Sequence, residues 1–239
     1  MAAITWDAEG TKRYETGVDR GVLYVKQSTS ASVAGIANSV GTYYHGGVAW
    51  NGLTSVSKSP SGAEANDIYA DNIKYASIRS AEAFGGTIEA YMYPDEFMIC
   101  DGSEEVAAGV YVGQQKRTPF GFTFRTDKGD ASENSIDVNN NYKLHLVYGA
   151  TASPSQSQYC TINESPEAIT FSWEFTTIPA SAGAAYKPTS LLTIDSSKLD
   201  AAGKTKLTAL EDVLYGTDGQ DGHAGFLPDP DQIVSFFKS

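Results

Sequence analysis

The sequence predicts one mainly β domain, and three observations carry that expectation. The first is period-2 alternation in the stretch Ala168–Ile178. There Ile169, Phe171, Trp173 and Phe175 alternate with Thr170, Ser172, Glu174 and Thr176. Such alternation puts large apolar groups on one face and polar groups on the other, as in a half-buried antiparallel strand. The second is composition: 14 Tyr, 10 Phe and 23 Gly, with charged residues at only 19 %, favour strands and turns over helix bundles. The third is that a helical period appears late, where Leu199, Leu207, Leu210, Val213 and Leu214 recur mostly at three- and four-residue spacing. No repeat, linker or composition shift divides the 239 residues, so about nine strands and two helices are expected in one domain.

Taken in order, Val22–Val25 after Gly21 reads as a first short strand, and residues 28–42, rich in Ser, Ala and Gly, as a loop. Tyr43–Trp50 leads into Asn51-Gly52, a hairpin-type dipeptide, with Leu53–Ser57 as the returning strand. Residues 59–64 form a turn. Asn66–Arg79 holds two short apolar pieces flanking Asp71-Asn72 and reads as an excursion or hairpin arm spanning about residues 58–80. Gly85-Gly86 precedes another alternating strand, Thr87–Tyr93. Pro94 with Asp95 and Glu96 behind it signals a helix start, which Asp101-Gly102 ends early.

Val110–Val112 and Phe120–Arg125 are the next strands, and residues 127–141 read as a polar loop without a core signal. Tyr142–Tyr148 alternates again and is the expected partner of 168–178, with residues 149–155 starting a long hairpin connection. Pro188–Ile194 adds a strand. Ser197 is placed to cap a first helical turn, and the main helix should span about 202–215, closed by Gly216. The apolar tail Ile233–Phe237 must either dock back or touch a neighbour.

The charge excludes one class of partner. With 17 basic against 29 acidic residues the net charge is −12, which repels phosphates and argues against sequence-reading of nucleic acid. Cys100 and Cys160 lie in unrelated contexts with no CxxC, so buried free thiols are expected rather than a zinc or redox site. Met1–Trp6 lacks the basic start and apolar core of a signal peptide. No apolar run approaches the ~20 residues of a membrane helix.

The local motifs fail on chemistry. Gly203-Lys204-Thr205 matches the end of a P-loop, but the earlier glycine it requires is Lys198. Asp218–Gly222 lacks the alternating oxygen ligands and terminal Glu of a calcium loop. His45, His145 and His223 are scattered singly, so no metal site is expected. No G-x-S-x-G elbow occurs, and carboxylate neighbours such as Glu104-Glu105 point apart. No cofactor and no enzymatic activity are therefore expected. Tyr43, Tyr44, Trp50, Tyr91 and Tyr93 would suit a sugar-binding face, though core packing is the commoner fate of such residues.

Several runs carry a likeness. Gly17–Tyr24, Ala49–Leu53, Gly62–Tyr75, Leu144–Ala150, Ser165–Thr176 and Ala209–Gly216 resemble the major tail protein of siphophages infecting Gram-positive hosts, in the same order along nearly the whole chain. The likeness departs mainly in the loops around 28–42, 126–141 and 217–225. The resemblance implies a β-sandwich or barrel of two packed antiparallel sheets with a flanking helix. It also implies a structural virion protein, assembled in the host cytoplasm, whose copies form hexameric rings stacked into the tail tube. That tube would conduct DNA during ejection, hold a tape measure protein, and meet a tail terminator and a distal tail protein at its ends. On this reading residues 58–80 are the intersubunit arm, anchored by Ile68, Tyr69, Ile73 and Tyr75, with Phe236 and Phe237 as further contacts. The polar alternates of the central strands face the lumen, in whichever sheet lines it. The alternatives are a carbohydrate-binding β-sandwich module of a phage baseplate and, more weakly, a secretion-system tube of the same architecture.

Overall fold

The computed structural model describes residues 6, 12–27, 32–33, 36–37, 43–62, 64–130, 135–136, 141–159, 161, 168–218 and 222–238. The fold is mainly β, and every ladder among the described residues is antiparallel. The strands of the body are β1 (Arg13–Gln27), β2 (Tyr43–Trp50) and β3 (Leu53–Lys58). An excursion, β4 (Ala65–Ala70) and β5 (Ile73–Arg79), comes next, followed by β6 (Gly85–Ala90). A 3-10 turn at Asp95–Phe97 runs into a one-turn helix, α1 (Met98–Asp101), and then a small hairpin, β7 (Glu104–Ala107) and β8 (Val110–Val112). The rest comprises β9 (Phe120–Asp130), β10 (Tyr142–Ala152), β11 (Phe171–Thr177), β12 (Leu191–Asp195), α2 (Ala201–Tyr215), β13 (Phe226–Leu227) and α3 (Pro230–Lys238).

The body is one sheet folded over itself, in the order β13-β2-β1-β9-β10-β11-β6-β3, with β12 also on β10. Strand β10 is the corner. Its first half, residues 143–147, pairs with β12, and its last three residues pair with β11. The face alternation changes phase at Gly149: Tyr148 points to one core and Ala150 to the other. Gly149 has φ +63, and a Cβ there would sit 2.2 Å from the carbonyl oxygen of Ile178, so only glycine fits this bend.

Alternation therefore feeds two cores from the same strands. Val22 and Tyr24, with Leu144, Leu146 and Tyr148, pack under α2 and α3 against Leu207, Leu210, Val213, Leu214 and Ile233. Leu23 and Val25 point the other way, into an aromatic core held between the two walls of the folded sheet. Trp173 lies at its centre, with ring centroids of Trp50, Phe97, Tyr93 and Phe171 all within 5.7 Å. Cys100 is a buried free thiol there, and burial pushes its pKa up to about 12. Cys160 lies outside the described residues.

Tyr142–Tyr148, the expected partner of 168–178, pairs instead with β9 and β12, and only Ala150–Ala152 meet β11; other expectations are corrected as well. Asn51-Gly52 is a tight turn but not a hairpin: β2 pairs with β1, while β3 pairs with β6 in the opposite wall. Both strands gain more by placing Trp50 and Leu53 on the shared aromatic core than by pairing with each other. Residues 127–130 are not loop. They extend β9 against Arg13–Thr16, and Lys128 is buried on Asp195 (2.9 Å) and Ser197 (2.7 Å). A charged strand end lacks the apolar signature that alternation detects. Ser197 does not cap the main helix; Asp195 caps a 3-10 turn there, and Asp200 accepts from Gly203 N–H at the start of α2. The tail is a third helix, missed because its nine residues span little more than two turns. Of the expected loop at 28–42, the described pieces 32–33 and 36–37 pair as a short ladder, and most of the remainder lies outside the described residues.

Candidate assembly surfaces

The excursion between β3 and β6 forms a self-contained arm. Its root is closed by Ser59 N–H donating to the Gly85 carbonyl (2.8 Å) and by pairing of Ser61 with Ala83 and Gly62 with Glu82. Beyond it, among the described residues, β4 and β5 pair only with each other, turning at Asp71 and Asn72, both in the left-handed region. Two polar residues that tolerate positive φ make this a hairpin tip. Parity puts Ile68 and Ile78 on one face and Tyr69 on the other, with Tyr75 at the register shift between the Ile68–Ala76 and Tyr69–Lys74 pairs. The described residues leave both faces open: Ile68, Ile73 and Ile78 are exposed, with Tyr69 at 67 % and Tyr75 at 74 %. An isolated two-stranded hairpin is marginal in water, and large apolar groups on both faces call for a cover.

Phe236 and Phe237, grouped with the arm on sequence grounds, lie elsewhere. They pack half-buried against the helix-side core, with Lys206 over the Phe236 ring at 5.9 Å. The tail thus docks back on its own chain.

A second group of exposed apolar residues was not legible as such in the sequence. It comprises Tyr91 and Met92, just past β6, together with Val106, Val110, Tyr111 and Tyr159. Tyr111 and Tyr159 lie in the electrostatic neighbourhood of Tyr93, while Val110 and Tyr111, adjacent in β8, face opposite ways. Backbone bonds from Gln115 to Gly102 and from Thr118 to Ile99 tie the base of the β7–β8 hairpin to α1. The available signal was the Val-Tyr-Val run of 110–112, read as an ordinary strand.

The aromatic set suggested for sugar binding is dispersed. Tyr44 is buried on the helix side and Trp50 in the aromatic core, Tyr93 is half-buried there, and Tyr91 is exposed; the side chain of Tyr43 lies outside the described residues. His45 and His223 flank Phe226, whereas His145 lies among the sheet strands. No cluster of three or more His, Cys, Asp or Glu that would hold a metal occurs among the described residues. Residues 219–221 of the Asp218–Gly222 turn lie outside them. No helix among them is long and apolar enough to cross a membrane.

The wall made by β3, β6 and β11 has a distinctive outer face. In register across the three strands run Ser57, Thr87 and Glu174, then Ser55, Glu89 and Ser172. Ser55 Oγ donates to Glu89 at 2.7 Å. The row holds hydroxyls and carboxylates, with no cation and no apolar group, and the helix layer packs on the other wall.

His145 anchors the root of the arm to that framework. It is 2 % exposed and stacks on Phe124 at 4.7 Å. Nδ1 lies 3.0 Å from Lys58 Nζ, and Nε2 lies 3.0 Å from Thr126 Oγ1. An ammonium only donates, so Nδ1 accepts, and the neutral ring carries its proton on Nε2 toward Thr126. Burial first, then the Lys58 charge, lowers the imidazole pKa to about 4, with Glu15 opposing and Lys143 adding to the shift. Free imidazole titrates near 6.5, so this contribution is full above that pH and is lost as pH falls from there to about 4, by on the order of 3 kcal/mol in all. Urea midpoints from pH 7 to 4 should show that decline in wild type, and His145→Gln should remove this component. A variant with an unchanged pH slope would overturn the assignment.

Comparison with known proteins adds no identity: no protein-family model matches the chain, and no curated protein matches it.

Proposed function

We propose that this chain is a structural subunit that assembles with copies of itself into a tube of the siphophage tail type. The observation that carries the reading is the arm, whose large apolar residues on both faces are left exposed by the described residues. Two further features support it. Strand β3 is paired along one edge only among the described residues, and closing strands around a ring is one way to remove such an edge. The fold is the mainly β, two-walled class that the resemblance implies.

On this reading six copies form a ring, rings stack, and the hydroxyl-and-carboxylate face of β3, β6 and β11 lines the lumen. Rows without cations let a polyanion slide, because each Lys–phosphate contact would act as a brake. Tape measure, terminator and distal tail proteins would be partners inside and at the ends, and the site of action would be the virion tail. No catalytic role is proposed.

The test is negative-stain electron microscopy at rising protein concentration with light-scattering mass, followed by addition of duplex DNA. Rings or hollow tubes that leave the DNA unbound are the expected result. A monomer at every concentration would overturn self-assembly and make a glycan-array screen of the baseplate-module alternative the next measurement.

A further inference from the structure

Lys58 ends β3 and turns inward. Val56, of the same parity, packs on the aromatic core, so the Lys58 stem runs toward the other wall. Its Nζ sits 5.8 Å from the centre of the Phe124 ring and 3.0 Å from His145 Nδ1. Phe124, His145 and Thr193 are register partners on β9, β10 and β12. Thr193 Oγ1 lies 3.2 Å from the same ring nitrogen, and Thr126 Oγ1 lies 3.0 Å from Nε2. An amine within hydrogen-bond reach of an imidazole that a third group orients is the arrangement of an activated nucleophile. Lys74, Lys128 and Lys143, by contrast, each lie on a carboxylate, which holds an ammonium charged. Lys58 lies on a neutral ring and is exposed, whereas His145 beneath it is buried.

We infer that Lys58 Nζ is an acyl-acceptor site, a nucleophilic amine served by His145 as its base, which takes a short acyl group from a thioester. The neutral amine adds to the acyl carbon, and the nitrogen of the adduct passes its proton to His145 Nδ1. The C–S bond breaks as the amide forms, and the departing thiolate takes the proton from the imidazolium. The thioester supplies the whole acyl group, and nothing is oxidised or reduced. Burial lowers the amine pKa, with Glu15 opposing and Lys143 adding to the shift, so more of the amine is neutral at a given pH. An imidazole whose own pKa is lowered to about 4 gives its proton up readily. Phe124, His145 and Thr193 crowd the nitrogen, which favours a short acyl chain. Acylation removes a positive charge at the strand end from which the arm leaves the body.

This inference goes beyond the self-assembly reading and does not depend on it. The test incubates the full chain at neutral pH with a limiting amount of the acetyl thioester of N-acetylcysteamine. The remaining amines are then labelled with deuterated acetic anhydride in denaturant, and peptide mass spectrometry gives the acetylated fraction at each lysine. Lys58 is expected to react at least about tenfold faster than the exposed Lys116, Lys187 and Lys204, at the low end of what a positioned base contributes. His145→Gln keeps a hydrogen-bond acceptor but no base, and is expected to bring Lys58 down to the rate of those three while circular dichroism stays unchanged. Should that variant misfold, the wild-type pH–rate profile decides: the Lys58 rate is expected to level off at a lower pH than the other three. In the acetylated chain, NMR titration should show the His145 pKa raised, because the Lys58 charge that helped to lower it is gone. Lys58 reacting no faster than the reference lysines, a folded His145→Gln chain in which it keeps its lead, a profile that levels off with the others, or an imidazole unmoved by acetylation would each overturn the site.

Discussion

Deleting residues 64–78 is expected to leave a folded monomer that no longer polymerises. The cut removes β4 and β5, whose ladder is self-contained, and spares the root pairs Ser61–Ala83 and Gly62–Glu82 and the Ser59–Gly85 bond. Neither core cluster contains a residue of that stretch, so global stability should change by less than about 1 kcal/mol, as for surface changes away from structural features. Assembly should respond very differently. Full burial of each large apolar side chain contributes roughly 1.5–3 kcal/mol, and the arm exposes five of them. Their sum is of the same order as the ~4–15 kcal/mol that association costs in lost freedom. The arm is therefore large enough to decide whether contacts form. Sedimentation velocity and electron microscopy would read the result, and tubes of normal length from the deleted chain would refute the arm's role.

Trp173→Ala should be among the most destabilising single changes in the chain, at about 3–5 kcal/mol. The indole is 4 % exposed and meets the rings of Trp50, Phe97, Tyr93 and Phe171. Those neighbours come from both walls and from the 3-10 turn between them. Truncation opens a cavity that relaxation in one wall alone will not fill. The next residue supplies the control: Glu174 is on the outward face, and Glu174→Ala should stay within roughly 0.5 kcal/mol. Urea unfolding would compare the midpoints, with an unchanged slope showing that the folded state keeps its compactness. Equal effects at 173 and 174 would mean that the strand does not separate core from surface as described.

That pair of residues illustrates what alternation made legible. Phe171, Trp173 and Phe175 were read as one face, and the latter two are buried as that parity requires; Ile169 precedes the strand and is exposed. The arm was legible too, because Asp71-Asn72 between two apolar pieces is hairpin chemistry acting over a few residues. The helix at 202–215 is observed at 201–215, since a 3.6-residue period over four turns is a strong local signal. Less visible were features whose meaning depends on distant partners. Lys128 becomes a buried residue only because Asp195 and Ser197 come to meet it. His145 carries no local motif and acquires its lowered pKa from burial in the folded sheet and then from Lys58, 87 positions away.

By itself, then, the sequence determined the mainly β class, the positions of most strands, the terminal turn of the arm and the acidic balance. These follow from side-chain parity, turn residues and net charge, all of which act locally or additively. Only the tertiary structure decided that Asn51-Gly52 joins opposite walls, that β10 bends at Gly149 to serve both, and that the tail helix docks on its own core. It also decided that the arm leaves the body at the Lys58–Gly85 end of one wall. Each of these depends on which strand finds which edge, and that choice is made by burial shared among residues far apart in the chain.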